Sequence, residues 1–280
     1  TAAIPEAMKT SFDLSCIRRK NTEGYHYFIS ALTGKDTESW IPLAVPARSA
    51  MLYNPMNGAS GKALLRQKDG KTEVYLQLAS GESAILKTFT EADVQAPEWK
   101  YQTVAQGTVE LSGLWSLRFV ESAPAVHSVP DSVSLGSWTD LSFEGAGTTM
   151  GTGCYTTAFV IENPASAQDW LLSLGDVRES ARVRINGREV ATLWAVPYCC
   201  PIGQYLRPGK NILEIEVTNL PANRIADMDR RGVKWRIFKD INIAALGYKK
   251  GTYAGWEPVP SGLLGPVRII PLKITKNEMQ

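Results

Sequence analysis

The chain has 280 residues, 44% hydrophobic and 21% charged, with a formal net charge of +2. That is a globular composition, sufficient for one large β domain or two smaller ones. The balanced charge excludes the electrostatic footprint of a nucleic-acid binder, and no apolar run is long enough to span a bilayer as a helix. The sequence starts at Thr1 without the basic and apolar regions of a signal peptide, so it reads as a processed or excised form compatible with a secreted parent.

In chain order, strand signals dominate and helix signals are scarce. YHYFISAL (25–32) is aromatic and β-branched. NPMNG (54–58) is a turn by its Asn-Pro and Asn-Gly pairs. EVYLQLAS (73–80) alternates, with Val74, Leu76 and Leu78 on one face. SAILKTF (83–89) follows a turn at Ser80, Gly81 and Glu82, so these two strands are predicted as a hairpin. The polar, Pro-containing span 90–107 reads as a linker.

A second β series follows. GTVELSGLWSLRFV (107–120), CYTTAFVIEN (154–163) and DWLLSLGDV (169–177) precede ARVRINGREV (181–190), where Asn186-Gly187 supplies a hairpin turn. RPGKNILEIEV (207–217) is a Pro-Gly turn leading into a strand. Gly262 and Gly265 in SGLLGPVRI read as a tight turn re-entering the last strand. Short strands with turn residues between them predict antiparallel β-sandwiches or jelly rolls.

The chemistry-bearing residues are sparse. Cys16, Cys154, Cys199 and Cys200 lack CxxC spacing and a neighbouring histidine, so no zinc site is expected. Cys199 and Cys200 are adjacent, which disfavours a disulfide between them, and buried thiols are the expected state. His26 and His127 have no nucleophile motif beside them, and there is no Gly-x-Ser-x-Gly.

GSWTDL (136–141), GTGCYTTAF (151–159), LSLGDVRESARVRINGREV (172–190), LRPGKNILEIEVTNLPANR (206–224) and GLLGPVRI (262–269) follow in that order. As an ordered set they resemble the galactose-binding-like jelly roll known as the sugar-binding domain of glycoside hydrolase family 2. The likeness covers residues 107–272. CIRRKNTEGYHYFISALTGKD (16–36) and VYLQLASGESAILKTF (74–89) resemble the segment after the catalytic barrel in family 106 α-L-rhamnosidase-type enzymes. The resemblance implies an all-β chain of two β-sandwich domains. Residues 1–106 would form an accessory sandwich and 107–280 the galactose-binding-like jelly roll.

The resemblance also implies a role. The chain would be a non-catalytic C-terminal accessory or carbohydrate-binding region of a polysaccharide-degrading glycoside hydrolase. Its partners would be a plant or microbial glycan and the catalytic barrel domain of the same parent chain. The compartment would be the periplasm or cell surface of a bacterium. No cofactor is expected, and a structural Ca²⁺ rests on fold analogy alone. Two alternatives stay open: a self-sufficient carbohydrate-binding module, and a structural or adhesive surface β protein.

Sugar binding needs an aromatic face and fixed polar groups, and the aromatic candidates are Trp194, Tyr198, Trp235, Tyr253 and Trp256. The expected carbohydrate or interdomain contacts are Glu179 at a loop tip, Trp194 and Tyr198 after the Asn-Gly hairpin, and Asn223, Arg224 and Trp235 in the charged stretch ANRIADMDRRGVKW (222–235). That stretch is predicted as a charged loop at a module rim. Asp227 and Asp229 are close enough in sequence to form a carboxylate pair. A salt-bridged network with Arg224, Arg230 and Arg231 is the favoured role for them, and no catalytic residue is assigned.

Overall fold

The computed structural model describes residues 4–236 and 251–275. The chain is all-β, with antiparallel pairing between its named strands. It divides into two compact units. The first holds residues 4–105 and 272–275, and the second holds the described residues between 106 and 271.

The first unit opens with a short helix, α1 (Met8–Phe12). Eight strands follow: β1 (Ser15–Lys20), β2 (Gly24–Ser30), β3 (Thr37–Pro42), β4 (Ser49–Tyr53), β5 (Ser60–Lys62), β6 (Leu65–Lys68), β7 (Lys71–Leu78) and β8 (Ser83–Phe89). They form two sheets, β1-β2-β8-β4-β5 and β3-β7-β6. One apolar core joins the two, with Tyr27, Ile29, Leu52 and Leu86 from the larger sheet and Ile41, Val74 and Leu76 from the smaller. This is the sandwich solution to burying one face of each sheet.

The expected hairpin of β7 and β8 does not form. The two strands lie in opposite sheets, and the turn between them carries the chain across the sandwich. Gly81 takes a positive φ of 91° there. The turn is held against the end of β2 by Ala31 N–H to Glu82 O and Gly81 N–H to Ala31 O. Alternation fixes which side chains of a strand are buried but not which strand it pairs with.

The span read as a linker is also structured in part. It contains β9 (Tyr101–Val104), whose Tyr101 ring is buried in the first unit's core. β9 pairs with residues Leu272 to Thr275 of the final strand.

The second unit contains β10 (Val109–Glu110), β11 (Ser116–Ala123), β12 (Met150–Ile161), β13 (Asp169–Ser173), β14 (Asp176–Arg178), β15 (Ser180–Ile185), β16 (Arg188–Leu193), β17 (Cys199–Pro201) and β18 (Gly209–Thr218). A helix α2 (Ala222–Arg230) precedes β19 (Gly262–Gly265) and β20 (Arg268–Thr275), whose residues from Leu272 onward belong to the first unit. One sheet is β11-β12-β18-β15-β16; the other runs β10-β20-β13-β17, and β14 pairs with β19. Leu117, Tyr155, Val183 and Ile215 from the first sheet share a core with Leu172, Cys200 and Ile269 from the second. Trp115 and Trp170 are buried in this core, as their strand positions predict. The β15–β16 hairpin turns at Asn186 and Gly187, both at positive φ, the geometry that selects Asn-Gly.

The Gly262–Gly265 segment is a strand rather than a tight turn. Gly262 is required by a close approach. It has φ of 100°, and a Cβ there would lie 2.4 Å from Trp138 Nε1 and 2.6 Å from the Tyr155 hydroxyl. That hydroxyl accepts from Trp138 Nε1 (2.5 Å) and from Leu263 N–H (3.2 Å). A buried polar chain of this kind fixes one packing arrangement, because each group left unpaired would cost free energy.

Candidate functional site

Register places the expected site residues at one end of the second unit. Ser180, which opens β15, pairs with Thr218, which closes β18. Ala181 pairs with Leu193, the last residue of β16. Glu179 therefore precedes β15, Trp194 follows β16, and Asn223, Arg224 and Trp235 follow β18, all at the same end. Tyr198 joins them through its hydroxyl, which donates to Glu179 O at 2.5 Å.

The expected charged loop is mostly a helix, α2. Ala222, Ile225, Ala226 and Met228 are compatible with helix, and Pro221 stands at the start, where a missing N–H costs nothing. Arg224 and Asp227 pair at i,i+3 (3.1 Å), and Asp227 and Arg231 at i,i+4 (3.6 Å). The end is a Schellman cap: Val233 N–H donates to Met228 O, Gly232 N–H donates to Asp229 O, and Gly232 has φ of 66°.

Asn223 is 3% exposed. Its amide donates to Val259 O and accepts from Val259 N–H, both at 2.8 Å. This side chain anchors the segment after residue 251 to the helix. Asn219 extends the anchor, accepting from Gly151 N–H and donating to Thr149 O and Ser261 Oγ.

Asp229 organises the outer layer. Its carboxylate accepts from Tyr253 N–H (2.7 Å), Trp235 Nε1 (2.7 Å) and Thr252 Oγ1 (3.1 Å), with Arg236 at 3.5 Å. These contacts, the Tyr253 backbone N–H first, hold its carboxyl below the usual carboxylate range. The result is an aromatic group. The Trp235 and Tyr253 ring centroids are 6.2 Å apart, and those of Tyr253 and Trp256 are 4.5 Å apart. The Arg236 guanidinium lies 5.1 Å from both the Trp235 and Tyr253 centroids. Trp256 is 48% exposed.

The structure thus brings Trp235 together with Tyr253, Trp256, Asp229 and Arg236. Trp194 is 65% exposed at the same end. Tyr198 is buried apart from its role at Glu179, and Arg224 is committed to Asp227. Asp229 holds the arrangement without standing among the expected contacts, and it sets Tyr253 and Trp256, both candidate aromatics, with Trp235. The Asp229 signal was its place one helical turn before Gly232, the helix stop. A cleft of about 700 Å³, lined in part by Pro124, His127, Phe143 and Glu144, adjoins the end of β11.

A general acid needs a carboxyl pushed upward, and Asp229 is pushed downward. Asp227 is shared by Arg224 and Arg231. Among the described residues, no group of three or more His, Cys, Asp or Glu side chains could hold a metal ion, and no helix is long and apolar enough to cross a membrane.

No family model matches the chain. It is similar to a rhamnosidase structure from Novosphingobium sp. PP1Y, with 26% identity and a TM-score of 0.67 over 92% of this chain. It is also 31% identical, over 179 residues and 58% of its length, to a Formosa agariphila protein carrying the provisional name beta-glucuronidase. In sequence and in fold, the chain resembles part of a glycoside hydrolase. It spans 24% of the rhamnosidase and 15% of the Formosa protein.

Proposed function

We propose that this chain is a non-catalytic, glycan-contacting accessory part of a polysaccharide-degrading glycoside hydrolase of the family 106 rhamnosidase type. The observation that carries the proposal is the Trp235–Tyr253–Trp256 group, fixed by Asp229 and Arg236 at one end of a jelly roll. Aromatic faces take the C–H faces of sugar rings, and fixed polar groups beside them read hydroxyls. The likeness to a rhamnosidase along nearly the whole chain supports the enzyme class, and the small share of that enzyme covered supports an accessory role. The catalytic carboxylates would lie in a barrel carried elsewhere in the parent chain. The compartment proposed for the parent is the bacterial periplasm or cell surface, where intact polysaccharide is met.

The test is to incubate the chain with p-nitrophenyl α-L-rhamnoside and β-glucuronide and to titrate it with oligosaccharides from rhamnose-containing polysaccharides. Saturable binding without turnover is expected. Turnover abolished by a single carboxylate substitution would overturn the non-catalytic reading.

A further inference from the structure

The rim around the aromatic group is not electrically neutral. Between Ala222 and Arg236 the sequence places five basic side chains, Arg224, Arg230, Arg231, Lys234 and Arg236, against two acids, Asp227 and Asp229, and the exposed Glu257 beside Trp256 still leaves the basic groups in excess. Asp227 and Asp229 are already committed. Asp227 is shared by Arg224 and Arg231, and Asp229 accepts three hydrogen bonds beside Arg236.

Arg230 is the informative cation. It is exposed, and its guanidinium donates through Nε to Ala254 O and through Nη2 to Trp256 O, both at 3.0 Å. Those acceptors are neutral carbonyls. Among the described residues, Arg230 has no carboxylate partner within ion-pair distance. The carbonyl contacts hold it against the backbone of Trp256, the most exposed ring of the group. The exposed Lys234 adds a second cation with no such partner among the described residues.

A half-exposed Trp256 and a guanidinium held on the backbone carbonyl of the same residue match a ligand with an apolar ring face and a negative charge at its edge. Guanidinium pairs with carboxylate and sulfate oxygens in a two-point geometry and is only weakly hydrated, so the pair forms at modest desolvation cost. We propose that the α2 rim binds an anionic sugar, its charge a ring carboxylate or a sulfate ester, with Trp256 stacking on the ring and Arg230 pairing with the charge. The inference rests on the glycan-contact reading of this end and names the substrate class for it.

The experiment titrates the chain with three matched probes: galactotriose, trigalacturonate and a sulfated galactotriose. At low ionic strength at least one anionic probe is expected to bind about tenfold or more tighter than the neutral one, the scale of a charge-assisted hydrogen bond. Which anionic probe prevails identifies the charge. Arg230→Gln is expected to remove most of that difference, Arg230→Lys to keep part of it, and Trp256→Ala to weaken all binding. Raising salt from roughly 20 mM to roughly 300 mM on the unsubstituted chain is expected to weaken anionic binding selectively, a readout independent of any variant's folding. Equal binding of neutral and anionic probes, lost in Trp256→Ala, would overturn the anionic-sugar inference while leaving the glycan contact standing. Binding to none of the three while rhamnose-containing oligosaccharides still bind would overturn the anionic-sugar inference alone, and binding to neither set would overturn both.

Discussion

The side-chain amide of Asn223 meets the backbone of Val259 at two points, donating to its carbonyl and accepting from its N–H, each at 2.8 Å. The contact spans 36 positions of sequence and imitates one rung of a β ladder. It ties the first turn of α2 to the segment that carries Tyr253 and Trp256. Asn223, expected from sequence among the carbohydrate or interdomain contacts, is buried and anchors this segment.

Asn223→Ala should therefore affect both stability and recognition. The Val259 N–H loses its acceptor and the Val259 carbonyl keeps only the longer contact from Ser261 Oγ (3.3 Å), at a residue that is itself 41% exposed, so a loss of about 1 kcal/mol is expected. Denaturant unfolding checks that figure, and glycan titration should show weakened binding although no ring has been altered. Binding equal to that of the unsubstituted chain would contradict the anchoring role.

Asp229 gives a prediction in pH. Its carboxyl is held below the usual range by the Tyr253 N–H, then by Trp235, Thr252 and Arg236. A depressed folded-state value means the group's stabilising contribution is fully present above the ordinary Asp value of about 3.9. It is lost as pH falls through the lower folded-state value. The indole N–H resonance of Trp235, assigned by its disappearance in Trp235→Phe, should stay constant from neutrality to about pH 4 and move only below that. A midpoint above that value would contradict the assignment of Asp229 as the organising carboxylate.

Gly262→Ala should strike the core behind the rim. The added Cβ meets Trp138 Nε1 and the Tyr155 hydroxyl at distances no side-chain carbon tolerates, and the positive φ adds backbone strain. A loss of about 1–3 kcal/mol is expected, read as a lower thermal midpoint. A neutral result would mean that the buried Trp138–Tyr155–Leu263 chain is not tightly packed.

The buried thiols of Cys154 and Cys200 should be inert in the folded state. Burial pushes Cys200 up to about 12 and Cys16 up to about 11, and also raises Cys154. The thiolate is the reactive form. Alkylation by iodoacetamide near neutral pH, followed by intact mass, should leave Cys154 and Cys200 unmodified until the chain is unfolded. Rapid modification of either would contradict the core packing.

The all-β character was legible because alternation marks half-buried strands directly. β18 buries Leu213, Ile215 and Val217 and turns Glu214 and Glu216 outward. Asn186-Gly187 marked its hairpin because few residues tolerate the required φ. Pairing was less legible: β7 and β8 carry the signature of a hairpin, but their turn crosses between sheets.

The site was half legible. Helix α2 was obscured by the Leu-Pro pair before it and by its density of charge, although Gly232 after two arginines is a helix stop. Trp235 was readable as the aromatic that closes a charged stretch. Tyr253 and Trp256 are brought to it by Asp229, Arg230 and Asn223, contacts spanning 24, 26 and 36 positions. No local pattern encodes such contacts.

The central claim is that the α2 rim contacts glycan without cleaving it. Its most direct test is one calorimetric titration of the chain, and of Trp256→Ala, with oligosaccharides from a rhamnose-containing polysaccharide, with released sugar followed in the same sample. Saturable binding, weakened about tenfold by Trp256→Ala and accompanied by no new reducing ends, is the predicted result. Absence of binding, or product that accumulates with time and is lost on Asp227→Asn or Asp229→Asn, would contradict it.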